Sequence, residues 1–288
     1  MMETKISSAG REVTIGHGRP TVLIGERINP SGKKRLAESL REGNLDIVRR
    51  EARAQAEAGA DIIDINVATS GVDEAYLLPR AVQVTMEAVS TPLCIDSARP
   101  EALEAALEVY KGKPLVNSVS GGERSLEKVL PLVKKYGAAV IGLVQDDEGI
   151  PRDWQRRVAI AHRIVRRAEA EGIPRQDIII DCLALAIGAD TSSGEAVVEA
   201  IRHIRDELGV NITLGASNVS FGMPDRDLLN NAFVSNIIAA GVTCLIVDVA
   251  KVRPTVLAVD LILGRDPGAR RYIEAYRQRQ GAKRSGHA

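Results

Sequence analysis

The chain has 288 residues, 45% hydrophobic and only 3% aromatic, and its 38 basic and 38 acidic side chains give a formal net charge of +0. That balance argues against nucleic acid or an anionic membrane as the main partner, and so few aromatics exclude a base-stacking platform. Cys94, Cys182 and Cys244 stand far apart without metal-ligand spacing, and neither a long apolar run nor a signal-peptide pattern is present, so a cytoplasmic protein that binds no metal is expected.

In chain order, Arg11–Gly16 reads as a short β segment that closes the bottom of whatever follows. Short β-branched runs then alternate with amphipathic stretches. Thr21–Ile28 precedes a helix over Asn44–Ala58, and Asp61–Val67 precedes one over about Asp73–Val89. Thr91–Ser97 leads to a helix that starts at Pro100, a residue suited to a first helical turn. Lys113–Ser120 is followed by a helix over Arg124–Tyr136, and Ala138–Gln145 by a long one over Arg152–Glu171. Asp177–Leu185 is followed by Ser193–Leu208, and Asn211–Asn218 by Arg226–Ala240. Cys244–Val249 leads to a helix that starts near Pro254. Several helices run into a glycine before the next strand, as at Gly59, Gly137, Gly209 and Gly241, where a left-handed stop is needed.

Eight strand–helix units at roughly 30-residue spacing predict an α/β fold of the closed (β/α)8 TIM-barrel type. An open dinucleotide-binding sheet would carry a GxGxxG after its first strand, which is missing. The expected organisation is one domain over residues 1–288. Its barrel spans about 21–263, an extra helix covers about 266–280, and the basic end Lys283–Ala288 is frayed. The arginines of the long helix (Arg152, Arg156, Arg157, Arg163, Arg166 and Arg167) read as a solvated face.

Barrel chemistry sits at the C-terminal ends of the strands. Those ends present Glu26, Asn29, Asp64, Asn66, Asp96, Ser97, Asn117, Ser118, Gln145, Asp181, Ser217, Asn218 and Asp248, and no histidine, lysine or cysteine nucleophile. A Schiff-base aldolase would want lysine there, and a zinc hydrolase histidines. Carboxylates, amides and hydroxyls instead suit a neutral heterocycle rich in N–H donors, such as a reduced pterin. Glu26, Asp64 and Asn66 are equally suited to holding the barrel mouth together, and Asp96 to capping the next helix. Gly215-Ala216-Ser217-Asn218-Val219-Ser220 gathers an amide, hydroxyls and a glycine where a strand ends, although it also reads as a polar turn before the next helix.

Six motifs occur in register: Ile24-Gly25-Glu26-Arg27-Ile28-Asn29, Asp64-Ile65-Asn66-Val67, Cys94-Ile95-Asp96-Ser97, Val116-Asn117-Ser118, Ile180-Asp181 and the Gly215–Ser220 stretch. Together they resemble the pterin-binding methyltransferases that move methyl between methyltetrahydrofolate and a corrinoid protein. These include the acetogen corrinoid/iron–sulfur protein methyltransferase and the folate domain of cobalamin-dependent methionine synthase. The resemblance implies a dihydropteroate synthase-like barrel in which Asp96, Asn117 and Asp181 hold the pterin's amino and ring N–H edge. Asn218 would be the catalytic amide beside the methyl-bearing nitrogen. Gly215 and Arg226 fall on ligand positions, with Glu26, Asp64, Asn66, Ile246 and Asp248 as supporting residues. It also implies cobalamin carried by a partner protein, no metal bound by this chain, and a homodimer. Phe221 departs from the glutamine of the acetogen enzyme and is closer to methionine synthase. Leu261-Ile262-Leu263-Gly264-Arg265-Asp266 resembles stand-alone relatives of other methyl-transfer systems. Dihydropteroate synthase is the nearest alternative, but its Ser-Arg-Lys and Asn-Val-Thr-Pro-Asp-Ser-Phe motifs are missing. A non-catalytic pterin-binding subunit of a larger complex is the other.

Overall fold

The computed structural model describes residues 2–285. It begins with an antiparallel hairpin of β1 (Glu3–Ser7) and β2 (Glu12–Gly16), paired from Glu3↔Gly16 to Ser7↔Glu12. Side chains alternate across a strand, so Ile6, Val13 and Ile15 all face one side. There they join the inward residues Val22, Ile24, Ile62, Cys94, Leu115, Ile141, Ile179 and Cys244 in one apolar cluster. The hairpin therefore plugs the N-terminal end of the barrel. The segment expected at Arg11–Gly16 is its second strand; the first, with Ile6 alone among polar neighbours, carries too weak an alternation to announce itself.

The barrel strands are β3 (Val22–Ile28), β4 (Ile62–Asn66), β5 (Leu93–Asp96), β6 (Leu115–Ser120), β7 (Ala139–Leu143), β8 (Ile178–Asp181), β9 (Asn211–Thr213) and β10 (Cys244–Val247). All pair in parallel, in the order β10-β3-β4-β5-β6-β7-β8-β9. The bridge Gly215↔Ile246, with Ile246 N donating to Leu214 O at 3.2 Å, draws β9 and β10 together, so the ring is nearly closed. Strands buried on both faces must be apolar throughout, which explains runs such as Ile62-Ile63 and Ile178-Ile179-Ile180.

Around them lie α1 (Lys34–Arg41), α2 (Asp46–Ala58), α3 (Glu74–Ala88), α4 (Pro100–Val109), α5 (Glu123–Tyr136), α6 (Trp154–Glu171), α7 (Ser193–Leu208), α8 (Arg226–Ala240) and α9 (Val249–Ile262). In α5 the buried residues Leu126, Val129, Leu130 and Val133 follow the helical period onto one face. That helix stops at Gly137, whose φ of 60° lets its own N–H and that of Ala138 reach the carbonyls of Lys134 and Val133. Pro100 is the first residue of α4, as expected. α10 (Arg270–Ser285) follows a 3-10 turn at Pro267–Ala269.

Several boundaries differ from expectation. β9 ends at Thr213, and Ala216–Ser220 forms a 3-10 turn, so Ser217 and Asn218 are presented by a helical turn rather than a strand. β8 ends at Asp181 because Leu183 takes a left-handed backbone, φ 54°, which no strand can continue through. α9 starts at Val249 and places Pro254 inside the helix. α1 was not anticipated, and α10 starts and ends about four to five residues beyond the expected helix; such boundaries are the least determined by local pattern. Lys283–Ser285 continue α10, and the remainder of the basic end, Gly286–Ala288, lies outside the described residues. The arginines of α6 do not all belong to a solvated face. Arg157 is fully buried, because it lies on the same stripe as Ala161, Ile164 and Ala168.

Candidate active site at the barrel mouth

A cavity of about 640 Å³ opens at the C-terminal ends of the strands. Its wall is built from Glu26 near the end of β3, from Asn29 and Lys33 after it, from the 215–218 loop with Phe221, and from Arg226 and Asn230 on α8. Asp64, Asp96 and Asn117 face it from β4, β5 and β6, and Ile246 and Asp248 from the end of β10. Such a volume suits one drug-sized or cofactor-sized molecule, since ligand pockets typically span about 300–1,000 Å³.

Parallel register builds the carboxylate–amide floor. Asn66 pairs with Asp96, and Asp96 with Asn117, so three polar side chains sit at one level. Asn66 Nδ2 donates to Asp96 Oδ2 at 2.9 Å, and Asn117 Nδ2 donates to Asp64 Oδ1 at 3.1 Å. Each amide thereby holds a carboxylate in place. Among the described residues, Asp96 Oδ1 and Asn117 Oδ1 accept no hydrogen bond. Asp181 repeats the pattern: its Oδ1 accepts from Leu183 N at 2.7 Å, while Oδ2 has no partner among the described residues.

Burial dominates the electrostatics here. It pushes Asp96 up to about 6 and Asp181 up to about 7 from the ordinary 3.8. It also raises Asp64 well above that value, and the neighbouring Asp96 charge raises it further. Burial desolvates these carboxylates; among the described residues only Asp181 has a cation close enough to oppose the shift, Arg157, and hydrogen-bond donors from a ligand would stabilise their charged form.

The opposite wall carries different chemistry. Ser217 Oγ donates to Glu26 Oε1 at 3.2 Å; burial raises the pKa of Glu26, and this hydroxyl partly opposes the shift. Asn218 stands next in sequence, and its side-chain amide has no hydrogen-bond partner among the described residues. A side chain at Gly215 would stand 3.4 Å from Asn218 Nδ2, so glycine keeps that approach open. Arg226 pins the loop: Nε donates to Ser220 Oγ at 3.0 Å, Nη2 donates to Ser217 O at 3.1 Å, and its guanidinium lies 4.8 Å from the Phe221 ring centre. Arg27 lies 3.8 Å from Asp248 Oδ2.

The structure therefore brings Glu26, Asp64, Asp96, Asn117, Gly215, Asn218, Arg226, Ile246 and Asp248 to one cavity. Asn66 and Asp181 are not part of its lining; Asn66 backs Asp96. Ser97, Ser118 and Gln145 line a second cavity of about 580 Å³, which shares Asp96. A reading of strand ends alone misses Lys33, whose Nζ reaches back to the carbonyls of Glu26 and Arg27 at 3.3 and 3.0 Å. The signal was a lysine just after the turn glycine Gly32, beyond the strand-end window. Among the described residues, no group of three or more His, Cys, Asp or Glu is arranged to hold a metal ion, and no helix is long and apolar enough to cross a membrane.

The family described as pterin binding enzyme matches residues 25–248, a span that contains every strand-end residue of this cavity. The chain belongs to that family. This pterin-binding enzyme is 33% identical over 267 residues to the methylcorrinoid:tetrahydrofolate methyltransferase of Eubacterium limosum, covering 89% of this chain and 96% of that protein. It is 30% identical over 265 residues to methionine synthase of Mycobacterium tuberculosis, covering 88% of this chain and only 22% of that much longer protein. Two solved structures of Yersinia pestis dihydropteroate synthase share the fold, with TM-scores of 0.70 and 0.69 at 17% and 16% identity, over 91% of this chain and 99% of theirs. Likeness at that identity identifies the dihydropteroate synthase-like barrel and nothing about the reaction.

Proposed function

We propose that this pterin-binding enzyme transfers a methyl group between methyltetrahydrofolate and the corrinoid of a partner protein. The observation that carries the reading is one cavity that holds two open acceptors at the strand ends, Asp96 Oδ1 and Asn117 Oδ1, together with an amide at Asn218 that has no hydrogen-bond partner among the described residues. A reduced pterin offers an amino group and ring N–H donors on one side and the methyl-bearing nitrogen on the other. The family match and the Eubacterium limosum relative support this assignment.

In this scheme Asp96, Asn117 and Asp181 accept from the pterin's N–H edge and fix its plane. The methyl-bearing nitrogen then lies beside Asn218. The partner's corrinoid, as Co(I), supplies the nucleophile that attacks the methyl carbon. The C–N bond breaks with its electron pair left on nitrogen, which must take up a proton to leave as a neutral amine. An amide does not titrate, so Asn218 orients the nitrogen and strengthens its hydrogen bond as basicity develops. Glu26, joined to the loop through Ser217, is the nearest carboxyl of raised pKa on that wall and supports proton delivery. The open mouth suits a reaction partner carried on another protein. Pairing with a second copy, the two mouths facing apart, is the assembly we infer from the resemblance.

Diphosphate displacement, the dihydropteroate synthase reaction, needs cations free to stabilise a departing anion. Here two of the three donors of Lys33 and two of the nitrogens of Arg226 are held by the protein's own oxygens. Product analysis tests the choice. With methyltetrahydrofolate and reduced cobalamin the enzyme should release tetrahydrofolate; with dihydropterin diphosphate and p-aminobenzoate it should release no dihydropteroate. The reverse pattern would overturn the reading.

A further inference from the structure

Arg157 is the largest fully buried side chain among the described residues, and its hydrogen bonds go to carbonyls. Nε donates to Pro151 O at 2.8 Å, and Nη1 donates to Cys182 O and Leu183 O at 2.9 and 3.0 Å. Nη2 is buried with no partner among the described residues. A guanidinium held in the interior without an ion pair is costly, and an apolar residue of similar volume would pack there at lower cost. The two carbonyls it grips belong to the turn that ends β8. In that turn Leu183 adopts φ 54°, a conformation unfavourable for a branched side chain. The same turn aims Leu183 N at Asp181 Oδ1, at 2.7 Å, which sets the orientation of the carboxylate.

We propose that Arg157 is a positioning residue for the pterin site: it clamps the left-handed turn after β8 and so holds the Asp181 carboxylate in its ligand-accepting orientation. This rests on the reading of Asp181 as a pterin ligand. The titratable groups close to Asp181 are Arg157 from α6, Cys182 in the turn just after β8 and Cys244 from β10. Burial pushes both thiols far up, Cys244 to about 12, so they stay neutral. Among the described residues, Arg157 is therefore the one nearby charge that favours ionised Asp181, and removing it should move the titration of Asp181 upward.

The test is a double-mutant cycle on methyltetrahydrofolate binding, with Arg157→Met, Arg157→Lys and Asp181→Asn. Arg157→Met should weaken binding about tenfold, the loss expected for a charge-assisted hydrogen-bond network. It should also shift the pH below which affinity falls to a higher value. Arg157→Lys should keep the wild-type pH midpoint while losing affinity, since an ammonium has the charge but not the fork. In the Asp181→Asn background, Arg157→Met should have little further effect on affinity. If Arg157→Met does not fold, the lysine variant in both backgrounds decides by the same criterion. Losses that add in full, or an unchanged pH midpoint with reduced thermal stability alone, would show a merely structural arginine and overturn the proposal. Wild-type affinity in Asp181→Asn alone would instead overturn the ligand role of Asp181, which is a separate failure.

Discussion

At the scale of single residues, the site is defined by polar atoms without a partner among the described residues. Asp96 and Asp181 each have one oxygen tied down and one open, so replacing either with alanine should leave a pterin donor unpaired, at about 1–3 kcal/mol. Titration calorimetry should show methyltetrahydrofolate affinity reduced by roughly one to two orders of magnitude in each variant. Wild-type affinity in both would remove them from the site. The same burial carries a stability cost of known sign. With a folded pKa near 7 against an ordinary 3.8, Asp181 binds more protons in the folded state, so stability falls as pH rises across that window and stays lower above it. Asp181→Asn should therefore raise the melting temperature of the ligand-free protein at pH 8 and not at pH 3.5. An unchanged melting temperature at pH 8 would contradict the assigned burial cost. Asn218 differs in kind, because its interaction should strengthen mainly as the nitrogen gains a proton. Asn218→Ala should slow single-turnover transfer by about 10²–10³ with little loss of affinity. A hundredfold weaker binding with unchanged transfer at saturation would make it a binding residue only.

Secondary-structure elements divide the work by barrel end. The β1–β2 hairpin fills the N-terminal end with Ile6, Val13 and Ile15, while every ligand candidate sits at the other end. Ile6→Ala should therefore cost about 2–5 kcal/mol of stability by denaturant unfolding and leave folate affinity unchanged. A large affinity loss in the folded variant would mean the two ends are coupled. The eight strand–helix units were legible because buried parallel strands and amphipathic helices have different hydrophobic periods. What escaped was local and conformational. Asn218 was read at a strand end, yet a 3-10 turn presents it, because backbone turns of small polar residues leave no periodic trace. Arg157 was read as solvated because charge is a strong surface signal, although its helical phase, shared with Ala161 and Ile164, pointed inward.

At the scale of the whole molecule, strand register gathers residues scattered from Glu26 to Asp248 into one chemical surface. The strand-end rule points to Asp64, Asp96 and Asn117, and the structure places these three in one cavity, while Asn66 and Asp181 stand outside its lining. It missed Lys33, which reaches the wall from beyond the turn, since only the tertiary path of that loop brings its ammonium back. The assembled floor has a pH signature. Ligand N–H donors should favour ionised Asp96 and Asp181, so binding below about pH 7 should release protons and weaken as pH falls through 7 and 6. Calorimetry in buffers of different ionisation enthalpy would detect that release, and proton uptake at pH 6 would contradict it. The most direct test of the central claim is to mix the protein with methyltetrahydrofolate and chemically reduced Co(I) cobalamin and follow the cobalt absorption spectrum. The account predicts conversion of the Co(I) spectrum to that of methylcobalamin, dependent on both folate and protein and strongly slowed in Asn218→Ala. A Co(I) spectrum that persists although calorimetry shows the folate bound would contradict it.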